Sequence, residues 1–472
     1  MEKRSPRRKF HKQHRILQRF VKSLDIVAVT VPFALCWILY YLESTQIMPA
    51  RWAQILLVLL FAVLYYCFAH LYSGFLLHLS RISELVYAQI LALTLADVFM
   101  YFVICMVCDR MVAVWPILIT YVVQIIIAVL WCYVAHQWYF HTFARKRTVI
   151  VWDERAGLDE LIRRYEMDKH FDVVTVISVQ DCMGSDYRYL KDAEVVFYSG
   201  VHSFDRNAIL KYCIENDIVS YIIPRIGDVI MSGATNTHLL HLPIQMVERY
   251  NPTPEYAFLK RLFDIVSSSV VLVVLSPLLL FVAIVIKCTD GGTVLYKQNR
   301  LTKDGKEFIV LKFRSMRMDA EKDGVARLSS GDNDPRITPV GKIIRKYRID
   351  EFPQLINIIR GDMSVVGPRP ERPEIAEEYE KEMPEFRLRL QVKAGLTGYA
   401  QVYGKYNTSP YDKLLMDLIY ISKPTFAEDF KIIFATIKTL FTKESTEGID
   451  VDAVTAMKSN RNEGLDSQNI GK

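Results

Sequence analysis

None of the ten histidines lies beyond His241, and the last cysteine is Cys288, at the edge of an apolar run. Chemistry in the C-terminal stretch therefore cannot rest on a His base, a Cys nucleophile or a His-based zinc site. It falls to carboxylates, arginines and lysines, with a hard cation as their natural helper. The stretch is dense in those residues. Lys312-Phe313-Arg314-Ser315-Met316 comes first, then RKYRIDE over 345–351, then Gly361-Asp362-Met363-Ser364 and Gly367-Pro368-Arg369-Pro370-Glu371. Guanidinium groups bind phosphate bidentately, and several converging on one place suit a pyrophosphate. Alternating charges on an expected helix over 339–360 can also form a solvated face, which is the reading for Lys342 and Lys346. Asp350-Glu351 stands apart, because Pro353 fixes the backbone just after it. Adjacent residues on a helix diverge by ~100°, so the two carboxylates cannot do one job from one direction. One can meet a phosphorus atom while the other holds a metal or a proton. Magnesium usually takes one or two carboxylates plus substrate phosphates, which matches this supply of ligands.

Three patterns carry no chemistry. Gly398–Gly404-Lys405 has one residue too many between its glycines for a P-loop, and Tyr406 replaces the Ser/Thr. Tyr165 and Lys169 have dehydrogenase spacing with no glycine loop upstream. His238 and His241 lack a third ligand nearby.

The elements that must position the acid pair read as follows. Apolar segments near 24–42, 52–72, 86–108 and 112–138 each approach the ~20 residues that a bilayer requires. Basic flanks lie before the first and after the fourth, at Arg145, Lys146 and Arg147, so both ends are expected on the cytoplasmic side. Asp97 in the third segment reads as a helix-packing residue. From 146 to 250, β-rich runs at 148–151, 173–179, 195–198 and 220–223 alternate with helical stretches at 157–166 and 205–216. A small Rossmann-like α/β domain is expected. Its first strand runs into Trp152-Asp153-Glu154, with acids where a dinucleotide loop needs bare glycine backbone, so it does not bind NAD in the usual way.

A fifth apolar run, Ile265 to Ile286, carries Ser276-Pro277 at its centre. Proline removes a backbone N–H and is expected to break the helix there, which permits re-entry on one face of the membrane. Asp304-Gly305 marks a hairpin between 293–300 and 307–313. Thr338-Pro339 opens a helix as N-cap and first residue. The segment Asp429–Lys443 is amphipathic and suits either a core or an interfacial helix. The tail from 444 is polar and reads as disordered. A net charge of +6 gives no cause to expect nucleic acid as a partner, and the eight cysteines form no disulfide framework. A 51% hydrophobic content, gathered in blocks, is that of a membrane protein.

The stretch from Lys260 to Phe441 resembles the bacterial sugar transferases, or polyprenyl-phosphate glycosyl-1-phosphate transferases. The resemblance is carried in order by KRLFDIV (260–266), Ser276-Pro277, LYKQNR (295–300), LKFRSM (311–316), DPRITPVGKIIRK (334–346), RIDEFPQLINIIRGDMSVVGPRPE (348–371) and AGLTGYAQVYG (394–404). The whole chain is similar to the long, membrane-fused subgroup. The resemblance implies a membrane protein of α plus α/β class. Four transmembrane helices (1–145) precede a Rossmann-like domain (146–250) and a mostly helical catalytic domain (251–443) with a re-entrant helix over 265–287. It implies transfer of a sugar 1-phosphate from a UDP-sugar to undecaprenyl phosphate at the plasma membrane, with the catalytic domain facing the cytoplasm, to start an exopolysaccharide, capsule or O-antigen unit. Asp350 would be the nucleophile and Glu351 its metal- or proton-handling neighbour, with Mg²⁺ required. Lys312, Arg314, Arg348 and Arg369 would bind phosphate. Membrane lipid, a second copy of the chain and polysaccharide assembly proteins are the implied partners. Lys405-Tyr406-Asn407 departs from the family pattern. Competing readings are a membrane-anchored NAD-dependent sugar epimerase or dehydratase, and a non-catalytic scaffold.

Overall fold

The computed structural model describes residues 6–45, 50–77, 80–164, 167–317, 336–404 and 408–440. Tyr165, the Asp334-Pro335 start of one motif, Lys405-Tyr406-Asn407 and the tail from 444 lie outside the described residues. The chain divides into two compact units at Ile223 and Pro224.

The first unit opens with α1 (Pro6–Cys36), α2 (Arg51–Leu71), α3 (Ile82–Cys108) and α4 (Trp115–Thr142). Short π and 3₁₀ turns extend α1 to Ser44. Their outward faces are apolar and exposed, as at Leu59, Phe102 and Leu130. Aromatic and small residues, including Phe33, Phe61 and Ala92, fill the interior. A soluble bundle would put charge outside, so apolar residues on both faces mark helices made for lipid. Among the described residues, five helices of the chain are long and apolar enough to cross a membrane: these four and one in the second unit.

The rest of the first unit alternates β1 (Lys146–Trp152), α5 (Leu158–Arg164), β2 (Phe171–Ser178), α6 (Val179–Gly184), β3 (Val195–Ser199), α7 (Ser203–Glu215) and β4 (Val219–Ile222). The strands form one parallel sheet in the order β2-β1-β3-β4. Val149, Val151, Val196 and Tyr198 pack on one face, while Ile150, Val195 and Phe171 pack on the other. Burial on both faces explains why the strands read as continuous apolar runs.

The second unit begins earlier than residue 250. Helix α8 (Ile226–Ser232) places Val229 in the same core as Leu414 and Leu418, so residues from 224 belong to this unit. An antiparallel pair, β5 (Thr235–Leu239) and β6 (Leu242–Met246), follows. Helix α9 (Pro254–Asp290) then runs through Pro277 without interruption, so the expected break at Ser276-Pro277 does not end the helix. The reason is local. Pro277 cannot donate to the carbonyl of Val273, four residues back, and the Ser276 hydroxyl donates to it instead at 2.7 Å. The two flanks of α9 pack on different elements, the first on α11 and the second on β8 and α10. Arg261 bonds the carbonyls of Ile358 and Ile359, while Val282 and Ile286 pack with Phe313 and Ile344. Between them, Val273, Val274, Leu280 and Phe281 are exposed.

The hairpin β7 (Leu295–Leu301) and β8 (Glu307–Phe313) pairs in register around Asp304-Gly305. Helix α10 (Pro339–Lys346) starts at a Thr338 cap whose hydroxyl accepts from Gly341 N–H. The expected helix over 339–360 is divided. Arg348 takes left-handed φ 52°, residues Ile349–Glu351 form a 3₁₀ turn, and α11 (Gln354–Arg360) resumes after Pro353. Then come β9 (Ser364–Val366), α12 (Pro373–Glu382), β10 (Gly395–Thr397), α13 (Tyr399–Tyr403), α14 (Pro410–Ser422) and α15 (Phe426–Leu440). Strands β9 and β10 pair in parallel. Helix α15 buries Ile432 in the core and leaves Phe430 exposed, so it is a core helix along one face.

Candidate active site

Four segments meet at the acid pair. Strand β8 ends beside it and supplies Lys312. The 3₁₀ turn carries Asp350 and Glu351, its left-handed cap is Arg348, and the segment after β9 supplies Arg369. Three residues per turn separate adjacent side chains by about 120°. The carboxylates therefore diverge slightly more than on the α-helix expected there.

Glu351 is buried and surrounded by cations. Its Oε1 lies 3.2 Å from Lys312 Nζ and 3.0 Å from Arg369 Nη2, and its Oε2 lies 3.9 Å from Arg348 Nη1. Burial alone pushes its carboxyl pKa up. Arg369, Lys312 and Arg348 outweigh that and hold it well below the ordinary carboxylate range. Asp350 has the opposite character. It is partly exposed, and among the described residues its carboxylate has no hydrogen-bond or ion-pair partner. Loss of solvent, then the neighbouring charge of Glu351, raises its pKa to about 6, against the pull of Lys312, Arg345 and Arg369. Neighbouring carboxylates pushed apart in this way take different roles. Glu351 is a fixed anion that gathers cations, while Asp350 is a free carboxylate, ionised at neutral pH, in a field of positive charge.

The structure thus brings Lys312, Arg348 and Arg369 together on Glu351. Arg314 is not one of those three. It is buried just past β8, where its backbone N–H donates to the carbonyl of Val294. Ser276 and Pro277 lie in the exposed middle of α9. The turn is braced from several sides. Asn357 on α11 accepts from Leu311 N–H and donates to the carbonyl of Ile309, tying α11 to β8. Gly341 packs against Ser315, where a Cβ would come within 2.0 Å of its carbonyl oxygen.

Sequence reasoning missed the residues that hold Arg369. Arg389 is buried, donates to the carbonyl of Arg369 at 2.9 Å and pairs with buried Asp417 at 2.7 Å. Arg300 donates to the next carbonyl, that of Pro370, at 3.0 Å, and Glu371 lies 3.9 Å from Arg300 and 3.7 Å from Arg389. Burial, then Arg369 and Arg372, lowers the Arg300 pKa to about 10. Burial also raises that of Asp417 to about 6, despite Arg389. Arg300 and Glu371 fall inside motifs already quoted, whereas nothing local marks Arg389 or Asp417.

No group of three or more His, Cys, Asp or Glu residues stands together among the described residues. An all-protein metal cage is therefore not what this site offers. The free oxygens of Asp350 and the Oε2 of Glu351 do fit a magnesium ion that draws its remaining ligands from phosphates and water.

A family model for bacterial sugar transferases matches residues 255–443. The UDP-N-acetylgalactosamine-undecaprenyl-phosphate N-acetylgalactosaminephosphotransferase of Aeromonas hydrophila is 39% identical over 205 residues, which are 43% of this chain and 48% of that one. The exopolysaccharide production protein PSS of Rhizobium leguminosarum bv. phaseoli is 42% identical over 196 residues, 39% of this chain and 96% of that one. The UDP-glucose:undecaprenyl-phosphate glucose-1-phosphate transferase of Escherichia coli is 37% identical over 212 residues, 44% of each chain. The matched stretch is thus about half the length of the Aeromonas and Escherichia relatives and nearly all of the Rhizobium one. It contains α9, the acid pair and every cation placed on Glu351, and on that shared stretch the chain belongs to the bacterial sugar transferase family.

Proposed function

We propose that this protein transfers a sugar 1-phosphate from a UDP-sugar to undecaprenyl phosphate, giving undecaprenyl-diphosphate-sugar and UMP. The observation that carries the reading is the Asp350 carboxylate, without a partner among the described residues, beside a Glu351 whose charge three cations compensate. An Asp350 oxygen attacks the phosphorus bearing the sugar. A P–O bond to aspartate forms, the bond to the bridging oxygen breaks, and that oxygen leaves with its electron pair on UMP. A phosphate oxygen of the lipid then attacks the same phosphorus and releases Asp350. Dividing one displacement into two through a covalent intermediate is standard nucleophilic catalysis. Lys312, Arg348 and Arg369, gathered on Glu351, would face the charge on the transferring phosphoryl group and the leaving UMP. Arg314, buried just past β8, would hold the more distant phosphate. A magnesium ion on Asp350 and Glu351 would neutralise pyrophosphate charge when bound.

The membrane reading belongs to the same proposal. Basic residues at both ends of the four-helix part favour the cytoplasmic side of the plasma membrane for those ends. Re-entry of helix α9 on one face of the bilayer belongs to this reading only as a bend of the unbroken helix at Pro277. Its support is that Pro277 sits mid-helix, where helices bend, and that the apolar residues around it, Val273, Val274, Leu280 and Phe281, are exposed. The parallel four-stranded sheet is a Rossmann-like domain without a dinucleotide loop, with a regulatory or assembly role. Glucose or galactose is the sugar proposed, with N-acetylgalactosamine, which the Aeromonas relative's name carries, to be tested beside them, and an exopolysaccharide, capsule or O-antigen unit is the product.

The test is nucleotide release by the purified full chain with magnesium, undecaprenyl phosphate and a panel of UDP-sugars. UMP from one sugar supports the reading and names the substrate. UDP would mean ordinary glycosyl transfer and overturn it. Full turnover by Asp350→Asn would remove the nucleophile assignment alone.

A further inference from the structure

The four-helix part of the first unit buries polar side chains that the proposed reaction does not use. Asp25 on α1, Tyr65 on α2 and Gln89 on α3 are each 0% exposed. Tyr65 Oη lies 2.6 Å from Asp25 Oδ2 and in short contact with Gln89 Oε1. The amide of Gln89 has only one sensible orientation. One end sits 3.0 Å from the carbonyl of Gly74, which can only accept, so Nε2 faces Gly74 and Oε1 faces Tyr65. Nε2 also reaches Asp25 Oδ2, at 3.5 Å, the outer limit of a hydrogen bond.

Counting hydrogens constrains the charge of this group. Tyr65 has one O–H and touches two oxygens. With Asp25 ionised, an O–H given to Asp25 leaves Tyr65 Oη and Gln89 Oε1 touching with no hydrogen between them. Given to Gln89, it leaves the carboxylate against a bare phenol oxygen. One proton on Asp25 resolves both arrangements. Asp25 Oδ2–H then donates to Tyr65, Tyr65 O–H to Gln89 Oε1, and Gln89 Nε2–H to Gly74. The surroundings agree. Besides Tyr65 and Gln89, the titratable group facing Asp25 is Cys132 on α4, and no Lys or Arg side chain pairs with it among the described residues. Lys22, one turn earlier on α1, is turned over the Phe75 ring at 5.7 Å. An unpaired carboxylate in such an apolar interior is costly, and its neutral acid much less so.

We propose that Asp25, Tyr65 and Gln89 form a buried proton-binding site in which a neutral Asp25 carboxyl heads a donor chain ending at the Gly74 carbonyl. The chain ties α1, α2, α3 and the turn after α2 together, and its ligand is a proton. Loss of that proton places a charge between three helices and loosens them. This inference is independent of the transfer reaction.

Infrared spectroscopy of the full chain in detergent, wild type minus Asp25→Asn at neutral pH, reads the site directly. The expected result is a carboxylic-acid C=O band present in the wild type and absent from the variant. An amide can donate to Tyr65 and carries no charge. The variant should therefore match the wild-type unfolding temperature at neutral pH and lose the wild type's decline in alkali. If the variant does not accumulate, Asp97→Asn, which removes the other buried carboxyl among the described residues of these helices, serves as the background, and the band that remains must fade on alkaline titration together with the unfolding temperature. Absence of any acid band at neutral pH overturns the proposal. A band seen only without sodium also overturns it, since the site would then hold a metal cation.

Discussion

Replacing Asp350 with asparagine should make the protein more stable while abolishing its turnover. In the folded chain the Asp350 pKa stands at about 6 rather than 3.8, first through burial and then through Glu351. Carried into folding, that rise costs the ionised protein about 3 kcal/mol. Partial exposure screens part of it, which brings the expectation to about 1–2 kcal/mol. The sign follows from which state holds the proton more tightly. A folded pKa above the unfolded one means that the native state binds the proton better. The cost is therefore absent below about pH 4, appears as pH rises from there to about 6, and stays constant above that. Asparagine carries no charge at any pH. Thermal unfolding of the full chain in detergent should show Asp350→Asn above wild type at about pH 8, with the gap closing toward pH 4. A variant less stable than wild type at alkaline pH would refute the reasoning, and so would a gap that does not change with pH. Strain of this kind at a reacting group is the usual exchange of stability for activity.

Other consequences of the same geometry can be checked in parallel. UMP release in a single turnover without lipid acceptor should fall tenfold per pH unit below about 6, because Asp350 must be ionised to attack; a flat profile from pH 5 to about 8 would assign the attack elsewhere. Asp417→Asn removes the nearer of the two carboxylates on buried Arg389, leaving Glu371 at 3.7 Å, and should cost about 2 kcal/mol of stability. Calorimetry measures that loss, and an unchanged unfolding temperature would mean that Arg389 finds a new partner. Gly341→Ala drives a methyl group into the Ser315 carbonyl, so α10 must shift and carry Arg348 off Glu351. Activity should drop at least tenfold while Gly341→Ser does no better, and full activity in either variant would show that the contact yields.

Much of the fold was legible because each signal was local. The four strands of the parallel sheet are continuous β-branched runs, Asp304-Gly305 announces its hairpin, and Thr338-Pro339 announces its helix. The acid pair was legible by elimination, since the C-terminal stretch has neither histidine nor a usable cysteine. The division of 339–360 was not. Tyr347 and Arg348 bear no glycine or proline to mark a left-handed residue, and the turn is held by long-range contacts such as Asn357 with β8. The grip of Arg389 and Arg300 on the Arg369 segment was equally hidden, because it joins residues far apart in sequence. Ser276-Pro277 misled in the other direction. Proline's missing donor was read correctly, but the preceding serine supplies a substitute, which composition alone does not reveal.

Arg261 on the lipid-exposed helix α9 grips the last carbonyls of α11, and the other end of α11 begins three residues after Glu351. A helix of seven residues is a rod about 10 Å long, too short to bend. On the proposed membrane reading, a tilt imposed on α9 would be passed along α11 to the turn carrying Asp350. Lipid thickness and lateral pressure would then be inputs to the proposed reaction, in the way that a hand on a tuning peg sets a string.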